Sequence, residues 1–228
     1  MTRVLITGAS RGVGRAAAIA CAKRGSELGL LGRPSVEQRD TTAICLENGA
    51  ERVIELAADA ADARAVESAA AEFLRTCGAP DAVIHNAGIA ARTSVEDTTL
   101  ASWEAHLQIN LTAPYLLTRA LLPAMRARKS GRIVFVGSIS STLGSANLSA
   151  YCATKWAIVG FMKSLAEELS ESGLMTCAVL PGSVDTRMLE GSGFPPRMTA
   201  DEVAQTLVHY ALDAPLAHNG AVIEMFGV

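Results

Sequence analysis

Short apolar runs alternate with helical patterns along the whole chain, and this alternation restricts the possible folds more than any other feature. Each run has the length of a strand that is buried on both faces, as in a parallel sheet covered by helices. The predicted strands are Arg3–Thr7, Glu27–Leu31, Arg52–Ala57, Ala82–His85, Arg132–Gly137, Thr176–Leu180 and Ala221–Met225. The predicted helices are Gly12–Arg24, Val36–Asn48, Ala61–Cys77, Leu100–Arg128, Ala150–Ser172 and Thr199–Leu212. We therefore expect an α/β fold with helices on both faces of a doubly wound sheet.

The length and composition fit one domain over residues 1–228, since 228 residues with 50% hydrophobic content can bury a large core. The net charge is −3, and the basic residues are scattered, so we expect neither nucleic acid nor a membrane as a partner. No apolar run has a membrane-spanning length, and the N-terminus enters a strand without a signal-peptide pattern. These features predict a cytoplasmic protein.

The cysteines and histidines predict neither disulfides nor a metal site. The five cysteines are an odd number without C-x-x-C spacing, and the four histidines are far apart.

The first predicted strand runs into a glycine-rich turn and then an alanine-rich helix. Glycines at such a turn let the backbone approach a ligand, and a helix N-terminus attracts a pyrophosphate. The spacing is T-G-x-x-x-G-x-G, which matches the common G-x-G-x-x-G dinucleotide pattern only in part, so a turn without a ligand is the alternative. The predicted dinucleotide-binding residues of this turn are Gly8, Ser10, Arg11, Gly12, Val13 and Gly14.

The end of the second strand indicates which dinucleotide binds. An acidic residue there usually binds the ribose 2′-hydroxyl, but this strand ends in Leu31-Gly32-Arg33. Arg33 and Arg11 would pair with a 2′-phosphate, so we predict NADP(H) over NAD(H). The alternative is that both arginines are simply solvated.

Further cofactor-binding residues are predicted at the ends of three other strands. Asp59 and Ala60 would meet the adenine, although Asp59 serves equally well as an N-cap for the following helix. The small residues Asn86, Ala87 and Gly88 end the fourth strand beside the first, where ligands bind in such sheets. After the sixth strand, a turn that would hold a nicotinamide carboxamide, or merely end the strand, contains Pro181, Gly182, Val184 and Thr186.

Tyr151 and Lys155 are one helical turn apart, so their polar groups project from one face. Carbonyl reduction needs a proton donor for the developing oxyanion, and an adjacent cation should lower the pKa of the tyrosine. Ser138, at the end of the fifth strand, would hold the same oxygen. The alternative is that these three residues have structural roles only.

Three other features of the sequence concern the segments around Tyr151 and Lys155. Pro114 lacks an N–H for the carbonyl of Asn110, which would be free to hold a water beside Lys155, or the proline merely bends the helix. Glycines and prolines exclude regular structure from Arg187–Met198, which would let a flap move over the site, or the segment is an ordered lid. The Ala150–Ser172 helix has apolar residues on more than one face, so we predict a homodimer or homotetramer through it and Leu100–Arg128.

Taken together, these motifs resemble the short-chain dehydrogenase/reductase family, in its short single-domain branch similar to 3-oxoacyl-ACP reductases. The resemblance covers almost the whole chain and implies a Rossmann-type sheet of about seven strands in the order 3-2-1-4-5-6-7. It implies that Tyr151 exchanges the proton, that Ser138 orients the carbonyl and that Asn110 keeps a relay water. Lys155 would also bind the nicotinamide ribose, as Tyr151 and Lys155 both do in the family. Ala60 replaces a larger aliphatic residue.

Two functions of different classes follow. The first is an NADPH-dependent reductase of a ketone or 3-oxoacyl-type carbonyl, or the reverse alcohol dehydrogenase. The second is a catalytically silent NADP(H)-sensing protein, which we would expect to lack Tyr151 or Lys155. A sugar-nucleotide epimerase is less expected, because the epimerases of the family carry a longer C-terminal substrate region.

Overall fold

A computed structural model describes residues 2–227, and seven parallel strands form one sheet in the order β3-β2-β1-β4-β5-β6-β7. This confirms the predicted fold class and strand order. The strands are β1 (Arg3–Thr7), β2 (Glu27–Gly32), β3 (Arg52–Ala57), β4 (Ala82–His85), β5 (Gly131–Val136), β6 (Leu174–Pro181) and β7 (Ala221–Met225). The helices are α1 (Gly12–Ala22), α2 (Val36–Glu47), α3 (Ala63–Cys77), α4 (Leu100–Leu107), α5 (Ala113–Arg128), α6 (Ser149–Glu168) and α7 (Ala200–Val208).

The predicted helix Leu100–Arg128 is interrupted. A π-helical turn at Gln108–Thr112 separates α4 from α5, and the Ala113 N–H donates to the carbonyl of Gln108. Pro114 follows in the first turn of α5. Since proline cannot donate to a preceding carbonyl, the interruption lies where Pro114 predicts it. A second π-helical turn, His209–Asp213, extends α7.

Burial explains the strand sequences. Every residue of β4 and β6 is buried, which requires apolar side chains on both faces of the strand. The edge strands β3 and β7 are only partly buried. Apolar clusters cover the two faces of the sheet. One includes α1 and α7, and the other includes α3, α5 and α6.

The five cysteines are all free thiols. No helix within residues 2–227 has both the length and the apolar character that crossing a bilayer requires.

Candidate active site

The ends of β1 and β4 touch at the carboxyl edge of the sheet. A Cβ at Gly14 would lie 2.3 Å from the Gly8 carbonyl oxygen and 2.4 Å from Asn86 Nδ2. The Asn86 side chain donates to the carbonyls of Thr7 and Gly8, both at 3.0 Å. The Thr7 hydroxyl accepts from the N–H groups of Asn86 and Ala87, at 3.0 and 2.9 Å. The predicted glycine turn and the N-A-G segment are therefore in direct contact.

The N-terminus of α1 is suited to a phosphate. Its N-cap residue, Arg11, makes no side-chain capping hydrogen bond, so the first N–H groups of the helix can serve a ligand. Gly12 has a φ of +54°, and a Cβ there would lie 3.2 Å from Thr186 Cγ2. Ser10 and Val13 flank this turn and are partly buried. The free backbone N–H groups could bind a pyrophosphate, and the glycines leave room for it because they have no side chains.

The expected adenine end is a narrow crevice. Ala60 lines it, together with Thr7, Leu31, Ala87 and Ile109. The crevice encloses only about 10 Å³, which is far too little for an adenine ring. Asp59 is exposed, and its carboxylate accepts from the N–H of Ala61 at 2.9 Å. Asp59 is not the N-cap of the following helix, because α3 begins at Ala63 and Asp62 caps it.

The two arginines predicted to select the cofactor are both exposed. Within residues 2–227 neither forms an ion pair. Backbone and Ser35 hydrogen bonds at the start of α2 lower the pKa of Glu37, and the charges of Arg187 and Arg11 lower it further. Arg11 thus has an acidic neighbour, Glu37, that the sequence analysis missed.

The turn after β6 brings Thr186 to the glycine turn. Pro181 ends β6, and the Gly182 N–H donates to the Met225 carbonyl at 2.8 Å. Val184 forms an isolated β-bridge with Met198, so the two ends of the Arg187–Met198 segment lie close together. This geometry places Thr186 beside Gly12.

Asn110 fastens the loop after β4 to α6. Its Oδ1 accepts from the Ile89 N–H at 2.9 Å, and its Nδ2 donates to the Ile89 carbonyl at 2.9 Å and to Thr154 Oγ1 at 3.0 Å. Gly88 lies against it, since a Cβ there would be 3.3 Å from Asn110 Oδ1. The side chain of Asn110 is thus fully used in holding loops, which leaves only its main chain for the predicted water.

Ser138 is buried at the end of β5. Its Oγ accepts from the Ser140 N–H at 3.1 Å and caps a 3₁₀ turn, Ile139–Ser141. The hydroxyl proton remains available to a substrate oxygen.

Tyr151 and Lys155 are both buried, at 8% and 6% exposure, so burial controls their titration. It raises the pKa of Tyr151, and the Ser138 hydroxyl and the more distant Arg92 charge oppose it only in part. Lys155 Nζ lies 5.6 Å from the Tyr151 ring centroid and donates to the Val136 carbonyl at 2.7 Å. Burial lowers the pKa of Lys155 to about 8. The expectation that the pKa of Tyr151 is lowered was therefore wrong for this structure.

The buried phenol of Tyr151 lies beside the Ser138 hydroxyl and the Lys155 ammonium, and groups of these types are able to exchange protons. Sequence reasoning missed the residues that hold the surrounding loops in place. The only feature of the sequence that points to Thr7 and Thr154 is that each lies next to a predicted motif residue. His106 and Arg92 had no signal, since their partners are 15 and 96 residues away in sequence.

Known proteins show similar sequences and structures. The family model for short chain dehydrogenase matches residues 2–193. A 3-oxoacyl-[acyl-carrier-protein] reductase of Synechocystis sp. is 33% identical over 94% of this chain and 90% of its own length. A 2-(S)-hydroxypropyl-CoM dehydrogenase 3 of Xanthobacter autotrophicus is 31% identical over 89% of this chain and 80% of its own. A structure from Beutenbergia cavernae with bound NADP at low occupancy has a TM-score of 0.91 and 30% identity, covering 98% of this chain and 94% of the other.

The low pKa of Lys155 predicts a pH dependence of stability. Because folding lowers this pKa from 10.5 to about 8, the unfolded chain binds more protons between these values, and Lys155 makes the fold more stable as the pH rises through them. The free energy of unfolding of the wild type, relative to Lys155→Met, should rise by about 2 kcal/mol between roughly pH 7 and pH 10. Urea unfolding of both proteins measures this difference, and parallel pH curves would contradict it.

Proposed function

Because this chain belongs to the short-chain dehydrogenase family, we propose that it is an NADP(H)-dependent oxidoreductase that reduces a ketone or 3-oxoacyl-type carbonyl to a secondary alcohol, or catalyses the reverse reaction. The observation that carries this proposal is the buried Tyr151 beside Ser138 and Lys155, at the sheet edge where the glycine turn opens.

The cofactor proposal rests on the residues around the glycine turn. Uncapped N–H groups at the start of α1 would hold the pyrophosphate, Asp59 and Ala60 would meet the adenine, and Thr186 would meet the nicotinamide side. Arg11 and Arg33 carry unpaired charge for a 2′-phosphate, and the Beutenbergia cavernae structure contains NADP. Bound NADPH would supply the hydride for the carbonyl carbon.

Ser138 and Tyr151 act on the carbonyl oxygen. Ser138 donates its free hydroxyl proton in a hydrogen bond and orients the carbonyl. Burial keeps Tyr151 protonated at neutral pH, so its O–H is a donor for the oxygen that becomes negative as the carbon is reduced. The proton moves from the Tyr151 hydroxyl to that oxygen, which completes the alcohol.

Lys155 helps to return a proton to Tyr151 after the reaction. With a pKa of about 8 it is mostly charged at neutral pH and yet exchanges protons readily. Its charge, beside the Tyr151 ring, stabilises the phenolate that forms when the proton leaves. A water on the Asn110 carbonyl would connect Lys155 to solvent, as the family resemblance implies.

We also propose a homodimer or homotetramer. The helices predicted to form the interface expose large apolar side chains, namely Leu100 and Trp103 on α4, Tyr115 on α5 and Trp156 on α6. Such exposed apolar groups on neighbouring helices are typical of an interface.

We also propose a cytoplasmic location, because five free thiols suit a reducing compartment.

Replacing the Tyr151 phenol tests the chemistry. Tyr151→Phe removes the proton donor, so turnover of NADPH with a panel of ketones and 3-oxoacyl thioesters should fall by about 10²–10⁴-fold. NADPH binding, measured by its fluorescence, should persist, and Tyr115→Phe serves as the control. A Tyr151→Phe enzyme as active as the wild type would refute the mechanism, and wild-type binding of NADPH without turnover on any carbonyl would favour the silent sensor.

Arg33 tests the choice of cofactor. A charge-assisted contact to the 2′-phosphate contributes about 1.5–3 kcal/mol, so Arg33→Ala should lower the preference for NADPH over NADH at least about tenfold. The dissociation constants of both cofactors report this, with the remote Arg75→Ala as the control. Equal wild-type affinity for the two cofactors would count against the assignment.

The apolar helix faces test the assembly. Light scattering at micromolar concentration should give the mass of a dimer or tetramer. Trp156→Glu places a charge on the α6 face and should shift the mass toward the monomer. Leu46→Glu, at a similarly exposed apolar residue on α2, should leave it unchanged. A monomeric wild type would exclude the assembly.

A further inference from the structure

The loop that follows the N-A-G segment, residues 89–93, is held at three points. Ile89 is bonded through both its main-chain groups to Asn110. The Ala91 N–H donates to His106 Nε2 at 3.0 Å, and the Thr93 N–H donates to the Asn147 carbonyl at 2.9 Å. The backbone on both sides of Arg92 is therefore fixed, which sets the direction in which its side chain leaves the loop.

His106 is a positioning residue in this arrangement. It is buried, and its Nδ1 lies 2.7 Å from the Ser102 carbonyl, which can only accept a hydrogen bond. Nδ1 therefore carries the proton, and Nε2 is left with a lone pair for the Ala91 N–H.

Arg92 extends from this loop to the segment on the other side of the cleft. Its guanidinium donates to the Met188 carbonyl at 3.1 Å and to the Glu190 carbonyl at 3.5 Å. Both acceptors are neutral, and within residues 2–227 Arg92 has no ion pair. Its positive charge is thus not neutralised, although the guanidinium is the side chain best suited to bind a carboxylate with two parallel hydrogen bonds.

The positive charge of Arg92 lies near the proposed proton donor, Tyr151. The residue after Arg92, Thr93, is bonded to the Asn147 carbonyl, four residues before Tyr151, which holds the loop beside the start of α6. The charge of Arg92 also opposes the rise in the pKa of Tyr151 that burial causes.

The segments that border the cleft expose apolar side chains, Leu143 after Ser138 and Met188 and Phe194 in the Arg187–Met198 segment. The latter segment also exposes the charged residues Arg187, Glu190 and Arg197. A molecule that fills this cleft would meet the Arg92 cation near the proton donor, with both apolar and charged side chains further out.

We propose that Arg92 binds a carboxylate of the substrate, so that the enzyme acts on short oxo acids with an apolar remainder in preference to neutral ketones. The guanidinium exchanges its two carbonyl acceptors for the two carboxylate oxygens, while the ketone lies at Tyr151. This inference rests on the proposed reductase function and narrows its substrate class.

The experiment compares 3-oxo acids with their primary amides, which keep the carbon skeleton and remove the charge. Calorimetric binding to the NADP⁺-loaded protein and kcat/KM with NADPH are measured for wild type, Arg92→Ala, Arg92→Lys and the remote control Arg75→Ala. The wild type should prefer the acid by about tenfold or more. Arg92→Ala should lose this preference, Arg92→Lys should keep part of it, and Arg75→Ala should keep it in full.

Binding and turnover separate the two claims. A wild type that binds acid and amide equally, or an Arg92→Ala protein that keeps the full preference, would overturn the role of Arg92. Equal losses for acid and amide in Arg92→Ala would show that the residue only ties the loop to the segment, and would also overturn it. A preference in binding without reduction of any carbonyl would support the carboxylate site and count against the reductase function.

Discussion

The whole site depends on the close approach of β1 and β4 at the carboxyl edge of the sheet. With a Cβ at Gly14 only 2.3 Å from the Gly8 carbonyl oxygen, any side chain there would separate the turn from Asn86. That contact lets Asn86 and Thr7 tie the two loops together. The strand order reverses between β1 and β4, and in sheets of this kind ligands bind in the crevice at that point. The crevice between the two loops is therefore where a dinucleotide would bind.

Burial, more than the pairing of charges, sets the acid–base character of the site. α6 lies on the sheet so closely that both Tyr151 and Lys155 are almost without solvent. Because burial disfavours the charged form of each group, it raises the pKa of the phenol and lowers that of the ammonium. The ordinary pKa values of the two groups, 10.0 and 10.5, are nearly equal, and burial moves them apart. The phenol therefore holds its proton more firmly than the ammonium does.

Polar side chains, instead of the apolar core, hold the loops around this pair. Asn110 links the loop after β4 to α6 through Thr154, and His106 holds the same loop two residues further on. The opposite wall, Arg187–Met198, is largely exposed and is joined to that loop by Arg92. One wall of the cleft is therefore fixed and the other is tied by two hydrogen bonds to neutral carbonyls.

The family resemblance implied the strand order. The sequence by itself determined the alternation of strands and helices, the glycine turn and the placement of Tyr151 and Lys155 on one helix face. These properties depend on periodicity and on short spacings, which a chain carries locally. Only the tertiary structure decided that the pKa of Tyr151 is raised, and that His106 and Arg92 hold the loop beside it. Those depend on burial and on contacts between residues far apart in sequence, and no local pattern encodes either.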